Sequence, residues 1–250
     1  MTPLQAQAIA NEFQSCVDRT ITRVANDDGH RPFHSALLSD EALFWSRFER
    51  SFSTSFGQRV IEQISLVCAQ AGGAEEAYTQ ASTEFKVDNN RLNFIDNHIS
   101  QLRDGRGVRG HWETDLSNLL TTPLSGNTSN IRVISDLYWR RNGVNNFMSI
   151  KTVKPNIDQT AEAKRDLLKL KAIDPNCNVY FGLYYNPFSE CRSDYTWTPP
   201  QRIFDFAHDN CVLIGKEYWD TLGGSGTYEN VLQIAREVGE NTRRQILGIR

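Results

Sequence analysis

Three residues of this 250-residue chain are of the types that phosphoryl chemistry uses: Asp136 in IRVISDLYW, and Ser149 and Lys151 in NFMSIKTV. A carboxylate can hold a hard divalent cation, and an ammonium can steady a nucleophile or the charge developing on phosphorus. Residues 131–139 and 146–153 have the β-branched and aromatic content of strands, and Asn142-Gly143 between them favours a tight reversal. The spacing therefore predicts a hairpin that sets Asp136 and Lys151 on neighbouring strands. Ser149 and Lys151 share one face, with Ile150 on the other. A lysine between apolar strand residues needs an explanation, because an unpaired buried ammonium is costly; the plain alternative is an edge strand with the lysine turned to water. Asp136, set between IRVIS and LYW, is harder to explain as generic strand.

Pro155 and Asn156 close the second strand, and DQTAEAKRDLLKLKAI follows as a helix capped by Asp158 and stopped before Pro175. NVYFGLYYNPF (178–188) reads as a strand buried on both faces, and a short strand is expected at Cys211 to Ile214. Upstream, residues 3–25 and FWSRFERSFSTSFGQRVIEQISLVCAQAGG have helical periodicity, whereas EFKVDNNRLNFIDNHISQLRDG is ambiguous and runs into a glycine–arginine loop from Arg103 to Gly110. Residues 228–246 form a closing helix.

DLYW, SIK, the KPNIDQTAEAKRDLLKLKA helix and the YFGLYYNPF strand together resemble the core of type II restriction endonucleases of the PD-(D/E)XK superfamily, in particular the group that cuts at GGNCC-like sites. The likeness covers roughly residues 110–220. It implies an α/β fold with a mixed β-sheet flanked by helices, an N-terminal helical region over 1–105 and a catalytic core over 106–250, in one domain. It also implies Mg2+ as cofactor, double-stranded DNA as substrate, a homodimer to cut both strands of a palindrome, and a cognate DNA methyltransferase in the same system. On that resemblance Asp136 binds the metal and Lys151 assists attack by water.

The position two before the lysine departs from the pattern. Ser149 cannot supply a carboxylate's charge, and similar enzymes take the missing acid from the next helix. Glu162 is the leading candidate and Asp158 the second, with Asp166 one turn beyond Glu162. An upstream acid, Glu113 or Asp115 in HWETDLSNLL, is the other possibility, against the simpler role of acids at a helix start. For the DNA contacts, Lys154, Lys164 and Arg165 are expected on phosphates, and Asn156 and Gln159 at the strand–helix junction on a phosphate or a base edge. Arg106 and Arg109 lie in the glycine–arginine loop, and Arg192 in a possible reading loop.

Composition constrains the rest. The net charge is -3, which argues against a uniformly basic nucleic-acid binder. Residues 140–171, however, hold eight basic and three acidic residues, a local +5 that leaves -8 for the remainder. The five cysteines are scattered, without a C-x-x-C pair, which predicts reduced thiols and no zinc site. No apolar run long enough for a membrane span and no signal-like N-terminus is visible, so a cytoplasmic protein is expected. Two rivals stay open: a repair nuclease of the same superfamily, and a non-catalytic DNA-binding protein that keeps the fold.

Overall fold

The computed structural model describes residues 1–105 and 107–247. Its centre is a five-stranded sheet whose spatial order follows the chain: β1 (Glu76–Asp88), β2 (Thr128–Arg141), β3 (Val144–Lys151), β4 (Asn178–Leu183) and β5 (Val212–Ile214). The first three strands are antiparallel and β3, β4 and β5 are parallel, so the sheet is mixed. Asn142 and Gly143 both take positive φ, +52° and +74°, in the two-residue turn between β2 and β3. That twist suits a hairpin. The parallel step from β3 to β4 needs a crossover, which α7 (Ile157–Ile173) supplies.

Helices cover both faces. On one side α5 (Asn89–Asp104), α6 (Trp112–Thr121) and α7 pack through Ile95, Ile99, Leu119, Leu167 and Leu168 against Val133, Phe147 and Phe181. On the other, α1 (Pro3–Ala25), α4 (Ile61–Ala71), α8 (Lys216–Gly223) and α9 (Thr227–Leu247) pack against Leu137, Trp139, Met148 and Ile150. Two further helices, α2 (Pro32–Leu37) and α3 (Asp40–Ser55), bury no residue completely. A single π turn at Phe56–Val60 joins α3 to α4.

Two expectations are revised. Residues 76–88 form the longest partner of β2 although the region before 105 reads as mostly helical; Thr, Ala, Ser and Gln carry its alternation, so the period-2 signal is faint. The cap of α7 is Asn156, not Asp158: Asn156 Oδ1 accepts from Gln159 N at 2.8 Å, and Gln159 Oε1 accepts from Asn156 N at 3.2 Å. This reciprocal box satisfies two helix-end donors.

One irregularity organises the rest. Phe85, Val87, Ile131 and Val133 pack in the α5–α7 layer, whereas Ala77, Leu137 and Trp139 pack in the α4 layer, although all are odd-numbered. Strict alternation would keep them on one face. The two strands therefore exchange faces between these groups, and there Gln80 takes a φ of +52°. A left-handed glutamine inside a strand is strained, as residues at functional sites often are.

Candidate active site

Asp136 stands where the strands part. The β2–β3 ladder runs from Arg141–Val144 to Leu137–Met148 and stops. Beyond it, Asp136 Oδ2 takes the place of a ladder carbonyl and accepts from Ile150 N at 2.6 Å. The same oxygen faces Lys151 Nζ at 3.3 Å and Ser149 Oγ at 3.4 Å. Asp136 and Lys151 are 21% and 23% exposed, so the pair is screened from bulk water yet reachable. The hairpin thus brings Asp136, Ser149 and Lys151 together.

A second carboxylate comes from a residue that the sequence analysis did not single out. Glu62, in the first turn of α4, lies behind Gln80, whose Nε2 donates to Glu62 Oε2 at 2.9 Å and to Asp136 Oδ1 at 3.4 Å. Burial above all, and then the Asp136 charge, push Glu62 above the ordinary carboxylate range; the Gln80 amide and Lys151 pull in the opposite direction without cancelling them. The only sequence signal was an acid inside the apolar run VIEQISLVCA, which helical periodicity alone reads as a partly exposed position.

These groups suit a hard divalent cation. Both acids offer oxygen, and they converge on a shared donor, the Gln80 amide. Among the described residues no group of three or more His, Cys, Asp or Glu could hold a metal. Mg2+ does not require one, since it is commonly held by one or two carboxylates and completes its shell with water and substrate phosphate.

The other acids stand elsewhere. Glu162 is exposed on α7 and has no bond to the cluster. Asp158 pairs with Arg103, Asp166 with Lys169, and Glu113 accepts from Asn210. Asp115 is buried in the α5–α7 layer, with Lys164 Nζ at 2.5 Å and His98 Nε2 at 2.9 Å. Burial alone would raise its pKa, but His98 and Lys164 hold it below the usual value.

Of the basic residues expected on DNA, Lys164 is buried and Arg165 and Arg192 are paired within the protein, whereas Lys154 and Arg109 are exposed. Lys164 is 0% exposed: its ammonium serves Asp115 and the Ile203 carbonyl and lies over the Phe204 ring, so it has no access to a duplex. Arg192 donates to the carbonyls of Phe206 and Asp209 and pairs with Glu217, which fixes its loop. Arg165 pairs with Asp96. Asn156 and Gln159 are engaged in the helix cap. Lys154 lies over the rings of Phe188 and Trp197, and Arg109 lines an exposed polar cleft with His111 and Gln201. Arg106 lies outside the described residues. No helix among the described residues is long and apolar enough to cross a membrane.

Comparison with known proteins adds an independent line. The family described as "Type II restriction endonuclease, HinfI" matches residues 4–239. The type II restriction enzyme HgiCII of Herpetosiphon aurantiacus is 32% identical over 248 residues, covering 96% of this chain and 89% of the relative. HgiEI from the same organism is 31% identical, with 91% of this chain and 84% of the relative covered, and HgiBI is 30% identical, with 94% and 86% covered.

Proposed function

The chain belongs to the HinfI family of type II restriction endonucleases, and from that premise we propose that it hydrolyses a phosphodiester in each strand of duplex DNA at a GGNCC-like sequence, with Mg2+ held by Asp136 and Glu62. The observation that carries this assignment is the convergence of Glu62 and Asp136 on one Gln80 amide, with Lys151 against Asp136. Bound at the two acids, Mg2+ would polarise a phosphoryl oxygen and make water a better nucleophile.

The chain's own groups do the positioning. Asp136 is fixed by the Ile150 amide, so its second oxygen keeps one direction. Lys151 is oriented by Asp136 and places positive charge where the phosphorane becomes more anionic than the ground state. Glu62 takes the part expected of Glu162 or Asp158. Its placement explains how Ser149 is tolerated: the hydroxyl contacts Asp136, and the second negative charge arrives from α4. A homodimer would present two such sites to a two-fold symmetric sequence, and a methyltransferase of matching specificity would protect the host's own copies.

The test is cleavage of a mixed-sequence plasmid by the purified protein with Mg2+ or EDTA, followed by mapping of the ends. Discrete metal-dependent fragments that share one end sequence, and disappear in Asp136→Ala, Glu62→Ala and Lys151→Ala, are expected. Folded protein that binds DNA and leaves it intact would overturn the nuclease assignment in favour of a DNA-binding protein.

A further inference from the structure

Beyond the face exchange at Gln80 and Asp136, β1 and β2 continue as a two-stranded ribbon. β2 pairs only with β1 there, because its ladder to β3 has ended. Its odd-numbered side, Phe85, Val87, Ile131 and Val133, is packed on the α5–α7 layer. The even-numbered side faces the α4 side of the sheet, but α4 engages only the near part, through Glu62 with Gln80 and Gln63 with Thr79. The remainder is open, and Ser82, Glu84, Lys86, Asn130, Arg132 and Ile134 are all exposed on it.

We infer that this open face lies in the DNA major groove and reads base edges next to the cut; the inference rests on the nuclease assignment above. Four observations support it. The first is shape: strands about 4.8 Å apart make a ribbon that fits a groove about 12 Å wide. Next is continuity, because the face begins at the carboxylates. At about 3.4 Å per residue, Asn130 stands roughly 20 Å from Asp136 along the strand, some six base-pair steps away.

The third is chemistry. A surface for phosphates would be uniformly basic, whereas this face carries Glu84 against Lys86 and Arg132, a net +1. Arginine suits guanine, asparagine suits adenine, a carboxylate accepts from cytosine N4, and an apolar side chain meets the thymine methyl. Ile134, 51% exposed and two residues from Asp136, is placed for the last of these. The fourth is rigidity. Arg132 Nε donates to Ser82 Oγ across the strands at 2.7 Å, with no ion pair among the described residues to occupy its outer nitrogens. The far end of the ribbon is tied down by Asp88, which accepts from Asn90 N, Ser125 N and Gly126 N. A reading surface held in place loses little freedom on binding.

The experiment selects cleavable sequences from a randomised duplex library with wild type, Arg132→Ala and Asn130→Ala, and measures duplex binding against salt in Ca2+. For Arg132→Ala, discrimination at one base pair within about six of the cut should fall about tenfold to a hundredfold, while the salt slope of binding stays at the wild-type value. Asn130→Ala should relax a different position. Wild-type cutting together with an unchanged sequence profile in both variants would overturn the ribbon assignment and leave the nuclease intact. An unchanged profile with a salt slope shallower by about one would make Arg132 a phosphate contact and overturn it as well. If the wild type binds one duplex selectively without cutting it, and Arg132→Ala abolishes that selectivity, the nuclease assignment falls and takes with it the placement beside a cut, while base reading by the ribbon stands.

Discussion

Replacing Glu62 by glutamine should make the protein more stable and less active at once. Its acidic oxygen and that of Asp136 lie 2.9 Å and 3.4 Å from one nitrogen, so they are no more than about 6.3 Å apart. Two unit charges at that separation repel by roughly 2.6 kcal/mol at an effective dielectric of 20 and by roughly 0.7 kcal/mol in bulk water. Glu62 is partly exposed, so screening leaves about 1 kcal/mol. In a chain of this size that corresponds to a melting temperature higher by about 2–4 °C. The Glu62→Gln side chain keeps an oxygen to accept from Gln80, so no donor is orphaned.

The sign follows from linkage. The folded state holds the Glu62 proton more tightly than the unfolded chain does, so the wild type bears its penalty at pH above the folded pKa and loses it as pH falls through the ordinary value of 4.5. Calorimetry in EDTA at pH 7.5 should therefore rank Glu62→Gln above wild type, and the gap should close below about pH 4.5. Added Mg2+ should raise the wild-type melting temperature more than that of the variant and reverse the ranking once the site is well saturated. Cleavage by the variant should fall by about a thousandfold, the loss of about 4 kcal/mol of transition-state stabilisation. A variant less stable than wild type in EDTA, or equal Mg2+ stabilisation of both proteins, would refute the assignment of Glu62 to the metal.

Other perturbations separate architecture from chemistry. Lys164→Met leaves Asp115 buried without its ammonium and should cost about 3–5 kcal/mol, read by denaturant unfolding; if Lys164 touched DNA, the variant would instead lose affinity with its stability intact. Gly110→Ala would drive a Cβ into the Ile203 carbonyl and to 2.5 Å from Lys164 Nζ, and overpacking of that kind should lower stability by about 1–3 kcal/mol. Asn156→Ala removes the α7 cap and should cost about 1 kcal/mol while duplex affinity stays unchanged, an outcome that a base-reading Asn156 would not give.

The hairpin that carries Asp136 and Lys151 was legible because its signals are local: strand composition on either side of Asn142-Gly143 fixes which residues oppose one another. Glu62 was not, since it reaches Asp136 only through the packing of α4 on β1, and a sequence pattern carries no information about which helix end meets which strand. Adjacency along the chain favoured Glu162 and Asp158, whereas α7 leaves one at the surface and pairs the other with Arg103. The basic surplus between 140 and 171 misled for a related reason. Lys164 neutralises a buried acid, Lys171 donates to the Pro175 and Cys177 carbonyls, and Arg141 donates to the carbonyls of Thr221 and Leu222, so much of that charge holds the fold together. Charge counted along a chain does not reveal which side of the surface it occupies.

The wedge that Asp136 drives between β2 and β3 has an evolutionary corollary. Its carboxylate substitutes for main chain, so a lineage under pressure to silence the enzyme meets resistance at this position: removing the acid strands the Ile150 amide and the Lys151 ammonium along with the activity. Glu62 presents the opposite incentive, because its loss relieves repulsion. On the proposed metal site, a protein that has lost Glu62 but kept Asp136 should therefore remain folded while it no longer cuts.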